Sequence, residues 1–189
     1  MAAPVGLDRE QVIDAAVAVL EANGRVDAVA LREVAAALGV RTQSLYAHVK
    51  GVDGLRRALA LRAHEALAVH LRDAVGGRTG SDAVEAIVRG YYAFAVDRPG
   101  LYDASLRPPG DDPVMAEATA TVTGPLNDVL TSYGLDAAAR VHWYRIVFAG
   151  VHGLAVLRRD GLLTLGGDPE DSLARMIRAF IHELESEVG

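Results

Sequence analysis

Ten residues, from Arg41 to Lys50, carry hydrogen-bonding or cationic side chains at most positions and no acid. Leu45 and Val49 lie one helical turn apart, so in a helix they turn inward together. Thr42, Gln43, Tyr46, Ala47 and Lys50 then share the outward face. Such a face suits a nucleic-acid groove. Gln can pair with adenine through two hydrogen bonds, Thr can offer its methyl or hydroxyl, and Ala can touch a thymine methyl. Tyr46, His48 and Lys50 can reach phosphates and set the register on the duplex. Residues 40–62 hold Arg41, Lys50, Arg56, Arg57 and Arg62 against the single acid Asp53, a local charge of +4 in a chain whose formal charge is -6. Any attraction to DNA must therefore be local.

A surface of this kind needs a rigid mount. Leu31, Val34, Ala35 and Leu38 repeat at helical spacing, and Gly39 breaks the run where a tight turn needs left-handed backbone. A short helix over 42–50 follows, and Gly51 breaks it. Two short helices crossing at a glycine turn form a helix-turn-helix. Upstream, residues 8–23 place Val12, Ile13, Ala16, Val19 and Leu20 on one stripe, closed by Gly24. Downstream, helices are predicted over 52–75, 82–98, 101–106, 113–133 (kinked at Gly124-Pro125), 137–159 and from Pro169 to about 187. Ser81 or Asp82 is the expected cap of the second of these, and Pro99-Gly100 reads as a break. The fold class is all-α with about nine helices. Residues 1–51 form the helix-turn-helix domain, and residues 52–189 a helical regulatory and dimerisation domain.

Composition removes other function classes. The chain has 189 residues, 51% of them hydrophobic, which is ample for a core. It has no cysteine, so disulfides and thiolate metal sites are excluded. No G-x-S-x-G elbow or phosphate loop appears. His64 and His70 are six apart, about 240° around a helix, and cannot share a metal. No catalytic residue, cofactor or metal is implied. Met1 to Arg9 lacks the pattern of a signal peptide, and no apolar run is long enough for a membrane span. The expected location is the cytoplasm, with no membrane partner. A helical ligand-binding or adaptor protein without a DNA role stays open on spacing alone.

Leu45-Tyr46-Ala47-His48-Val49-Lys50, set after Leu38-Gly39-Val40, resembles the TetR family of transcription regulators, as does the first helix with Ala15-Ala16 and Asn23-Gly24. The segment from Tyr91-Tyr92 to Tyr102 and Gly150-Val-His-Gly153 are similar to one of the family's regulatory domains. The resemblance implies a homodimeric DNA-binding regulator, a repressor by default, released from its double-stranded operator by a small-molecule ligand. Arg41, Thr42, Gln43, Ser44, Tyr46, Ala47, His48 and Lys50 would then meet DNA. Ala30 and Val52 depart from the pattern, which often has a capping Ser or Thr and a Lys. Both departures imply weaker phosphate anchoring, offset by Arg56 or Arg41.

Two apolar stripes offer a dimer surface. Tyr144, Val147, Phe148, Val151 and Leu154 lie on one helix, where Gly150 and Gly153 permit close approach. Met176, Ile177, Phe180 and Ile181 lie on the last. Candidate ligand contacts are Tyr91, Tyr92, Phe94, Tyr102, Met115, Thr119, His142 and Trp143, aromatic or polar groups on helices that could wall a pocket. Helix 52–75 joins the two regions and is the natural lever.

Overall fold

The structure is a computed structural model that describes residues 6–188. Residues 1–5, which begin the stretch read for a signal peptide, and Gly189 lie outside the described residues. Every regular element among the described residues is helical: α1 (Arg9–Asn23), α2 (Leu31–Ala37), α3 (Thr42–Leu45), α4 (Gly51–Val75), α5 (Gly80–Asp97), α6 (Pro99–Ser105), α7 (Pro113–Ser132), α8 (Ala137–Arg159) and α9 (Pro169–Val188), with a 3-10 turn at Val26–Ala28.

The first helix shows how local chemistry sets boundaries. The Asp8 carboxylate accepts from the Gln11 N–H at 2.8 Å, and the Gln11 side chain accepts from the Asp8 N–H at 3.0 Å. This reciprocal box satisfies two donors that a helix start would leave unpaired. Gly24 ends α1 at φ 69°, a left-handed conformation that costs glycine little.

α4 ties the molecule together. Leu55, Leu59, Ala63, Leu67 and Leu71 recur every fourth residue and are all buried. Its early turns pack on α1 and α2, and its body on α5, α6 and α7. One continuous apolar cluster therefore runs from Val12 in α1 to Leu184 in α9. Each leucine buried in it contributes about 1.5–3 kcal/mol relative to exposure.

Three boundaries differ from the sequence reading. α3 is a single turn ending at Leu45, not a helix to Lys50. The Tyr46 N–H donates to the Gln43 carbonyl and the His48 N–H to that of Leu45. These i to i+3 bonds tighten the chain ahead of its turn at Gly51, φ 69°. Neither Ser81 nor Asp82 caps α5. The helix starts at Gly80 and its N-cap Thr79 makes no side-chain bond. Pro99-Gly100 opens α6 rather than breaking the chain, because proline's fixed φ suits a first helical position.

Candidate nucleic-acid interface and regulatory core

α2 and α3 cross at Gly39, φ 66°. Leu45 and Val49 are buried beneath α3, at 0% and 5% exposure. Arg41, Gln43, Ser44, Tyr46, Ala47 and Lys50 are exposed, while Thr42 and His48 are half-buried. All eight sequence-predicted DNA contacts thus sit on one short, rigidly mounted turn, and Tyr46 stands 53% exposed despite its size. The α2 start lacks its side-chain cap: Ala30 has no acceptor to offer, and only the Glu33 carboxylate accepts from the Ala30 N–H, at 3.1 Å.

The basic patch is smaller than its sequence count. Arg56 donates to the Asp27 carbonyl at 2.9 Å and pairs with the Asp27 carboxylate. Arg57 grips Asp112 through two bonds, at 2.5 and 3.0 Å. The bond from Arg57, helped by the N–H groups of Met115 and Val114, holds the Asp112 carboxyl down at about 2. Arg62 pairs with Glu10 and Asp14 of α1. Acids remote in sequence thus pair with three of the five cations. Arg41 and Lys50 have no ion pair among the described residues.

The predicted ligand residues divide into separate places. Tyr91 and Tyr102 meet edge to face at 5.8 Å between centroids. Three rings of α8, Tyr144, Phe148 and His152, stack beside them at successive centroid distances of 6.1 and 5.6 Å. The Tyr102 hydroxyl lies 2.8 Å from His152 Nδ1. Burial raises the Tyr102 phenol above its usual range. Burial, then the charge of Arg159, lowers the His152 imidazole. Both shifts favour the neutral phenol and the neutral imidazole. Tyr92 sits elsewhere, its hydroxyl accepting from Arg158 at 2.9 Å. Phe94 packs on His70. Met115 and Thr119 lie by the buried His64, with Thr119 Oγ1 donating to the Met115 carbonyl at 2.9 Å. Trp143 donates to Glu187 at 2.7 Å and fastens α8 to α9. His142 is exposed on α8. The reading missed Phe148 and His152 as partners of Tyr91 and Tyr102; the spacing 144, 148, 152 on one helix face was the available signal.

It also missed the junction between the two regions. The Glu21 carboxylate at the end of α1 accepts from the N–H groups of Gly100 and Leu101, at 3.1 and 3.3 Å, and pairs with Arg98 at 3.0 Å. Asp103 of α6 accepts from the Val26 N–H at 2.8 Å. No local pattern marks either acid.

Residues 84–180 match the tetracyclin repressor-like C-terminal domain family. The chain is 33% identical over 165 residues to an HTH-type transcriptional regulator of Mycobacterium tuberculosis, covering 86% of this chain and 75% of the relative. The chain belongs to the TetR family. A second HTH-type regulator, from Bacillus subtilis, is 29% identical over 187 residues, 97% of this chain and 96% of that one. Among solved structures, a TetR-family regulatory protein from Rhodococcus RHA1 superposes with a TM-score of 0.63 at 20% identity, covering 93% and 96% of the two chains. This TetR-family chain is thus a DNA-binding transcription regulator and not an enzyme, and no helix among its described residues is long and apolar enough to cross a membrane.

Of the nine residues in the predicted dimer stripes of this TetR-family regulator, three are fully committed to the chain's own core. Val147, Val151 and Ile177 are buried in the chain's own core, at 5%, 0% and 2% exposure. Tyr144, Leu154, Met176, Phe180 and Ile181 are half-buried and pack against that core, and Phe148, also half-buried, packs on Tyr91. Gly150 serves α8–α9 packing within the chain: a Cβ there would lie 2.8 Å from the Met176 sulfur. The correction is physical. Both helices need an inward stripe to fold, and the bulkiest residues supply it. What α8 turns outward is Ile146 (50% exposed), Ala149, Gly153 and Leu157 (41%). A Cβ on Gly153 would meet nothing within 4 Å.

Proposed function

We propose that this regulator is a homodimeric repressor that holds double-stranded operator DNA through Arg41, Thr42, Gln43, Ser44, Tyr46, Ala47, His48 and Lys50, and lets go when a small molecule enters the helical region. The observation that carries this reading is the exposure of Arg41, Gln43, Ser44, Tyr46 and Lys50 around α3 while Leu45 and Val49 anchor it from below. In this reading Thr42, Gln43 and Ala47 meet base edges, and Arg41, Tyr46, His48 and Lys50 meet phosphates. Two such turns are needed, because one reads too few bases. A two-fold axis spaces them about 34–36 Å apart, one turn of duplex. The outward stripe Ile146, Ala149, Gly153 and Leu157 is the surface for that axis, its small residues allowing backbones to approach.

Release requires the ligand to prefer a conformation in which the two turns no longer match successive grooves. The polar junction at Glu21, Asp103 and α6 supports such coupling, because α6 also bears Tyr102, which bonds to His152 of α8.

A mobility shift with the DNA upstream of its own coding region tests the core of the reading. The chain is expected to give a sequence-specific shift that Gln43→Ala, Tyr46→Ala and Lys50→Ala together abolish. With Arg41 and Lys50 the two of these five cations left unpaired in each protomer, log K is expected to fall with log salt at a slope of roughly −4, against roughly −9 were all five engaged. A shift unchanged in the triple variant would overturn the assignment of this face.

A further inference from the structure

α6 packs against α1, α4 and α5. Its tie to α8 is a hydrogen bond between the Tyr102 hydroxyl and His152 Nδ1 at 2.8 Å, with the two rings 5.8 Å apart between centroids. No other side-chain hydrogen bond joins these two helices among the described residues. At its other side α6 is fastened to the DNA-reading end. Glu21 of α1 accepts from the N–H groups of Gly100 and Leu101, and Asp103 accepts from the Val26 N–H. Along α6, one bond therefore stands between α8, which bears the proposed two-fold surface, and the bundle that bears α3.

One partner of that bond is a side chain that takes up a proton near neutral pH. His152 is half-buried and stacks on Phe148, 5.6 Å between centroids and 23° between planes. The titratable and charged groups around it are Tyr91 of α5, Tyr102 and Asp103 of α6, and Tyr144 and Arg159 of α8 itself. Asp160 takes the Arg159 guanidinium at 2.8 Å, and Arg158 is engaged with Tyr92 and Glu170. No carboxylate bonds to the imidazole among the described residues. A ring that gained a proton here would carry its charge among aromatic rings, two turns from Arg159 on the same helix, with no acid to receive it. Burial, then Arg159, accordingly lowers the imidazole below its ordinary range. A group that protonates less readily in one arrangement than in another drives the second arrangement when protons are supplied. Here the favoured arrangement is the one with His152 turned to water and Tyr102 released.

We infer that the Tyr102–His152 bond is a proton-operated clasp: mild acid parts α6 from α8 and, through Glu21 and Asp103, shifts the α1–α3 bundle away from its operator-binding position. The inference rests on the coupling through α6 proposed above and gives it a second input, the proton, which needs no cavity. Its sign is fixed. The clasp holds fully above the ordinary imidazole value of about 6.5 and weakens as pH falls through that value. His48 acts in the opposite direction, because a cation gained on the DNA face strengthens phosphate contact.

Operator affinity, measured by fluorescence anisotropy on the DNA upstream of its own coding region, tests this at about pH 7.5 and about pH 5.5 and constant ionic strength. The wild-type chain is compared with His152→Gln, whose amide can still meet the Tyr102 hydroxyl but does not titrate. The ratio of dissociation constants, acid over neutral, is expected to be larger for wild type by about threefold or more. His48→Gln in both backgrounds is expected to leave that difference in place. NMR titration of the wild-type imidazoles reads the same step without relying on the fold of a variant: the His152 resonance, identified by its loss in His152→Gln, is expected to titrate below about 6.5. Equal ratios for wild type and His152→Gln, or a His152 midpoint at or above that value, each overturns the inference. Binding at neutral pH separates its failure from that of the regulator reading. A chain that holds the operator there yet shows equal ratios loses only the clasp.

Discussion

Gly100 shows how much a single missing methyl can matter. A Cβ at this position would stand 2.5 Å from the Leu20 carbonyl oxygen and 2.9 Å from the Glu21 nitrogen, both backbone atoms that cannot swing aside. The close approach lets Glu21 reach the two N–H groups that open α6. Gly100→Ala is expected to destabilise the fold by about 1–3 kcal/mol, the usual cost of forcing extra volume into a packed contact. Chemical denaturation checks it; an unchanged midpoint would mean that α1 and α6 separate without cost. Nothing near residue 100 in sequence announces this. Pro99-Gly100 has the composition of a turn, and only the carbonyl of a helix 80 residues earlier explains the glycine. The outward residues of α3 were legible for the opposite reason. Leu45 and Val49 fix the inward side through a four-residue spacing, and the rest of the face follows from helix geometry.

Among the elements, α2 carries a vacancy that chemistry can fill. Ala30 has the extended backbone of an N-cap, φ -115° and ψ 144°, and Glu33 already accepts from its N–H. Ala30→Ser would complete the reciprocal box and is expected to stabilise the chain by about 0.5–2 kcal/mol, raising the thermal midpoint measured by circular dichroism. A neutral or lower midpoint would show that the hydroxyl cannot reach the Glu33 N–H. α3 teaches a different lesson. Its periodicity continues to Val49, yet the α-helix stops at Leu45, because the chain must tighten to turn into α4 at Gly51. Periodicity reports which side chains face inward, and a 3-10 turn can preserve that while the helix itself ends. α8 shows the same limit on a larger scale. Its apolar residues cover most of its circumference, so spacing alone could not say which stripe serves the core and which a second copy.

The proposed repressor must bring two α3 turns to one duplex, and the outward stripe of α8 is the surface proposed for it. Ile146→Arg with Leu157→Arg is expected to give a monomer by sedimentation at micromolar concentration, with normal helicity and operator affinity lowered by at least tenfold. A dimer that survives both substitutions would move the two-fold axis away from α8. The comparison with the inward residues is instructive: Val151→Arg would unfold the chain and tell nothing of assembly, since Val151 is fully buried. Charge follows the same division. The sequence count of five cations in residues 40–62 was right as arithmetic, but folding places Asp27, Asp112, Glu10 and Asp14 against three of them.

By itself the amino-acid order determined the all-helical class, the helix-turn-helix between residues 31 and 50 and the side chains it presents, because each depends on residues within a few turns of one another. Only the tertiary structure decided which cations of residues 40–62 remain unpaired and which face of α8 is outward. Those outcomes depend on which distant segments meet. Acids up to 55 residues away quench the arginines, and α5, α7 and α9 cover the inward sides of α8. Local periodicity contains no term for either contact, since burial is settled by whichever face a neighbouring helix happens to occupy.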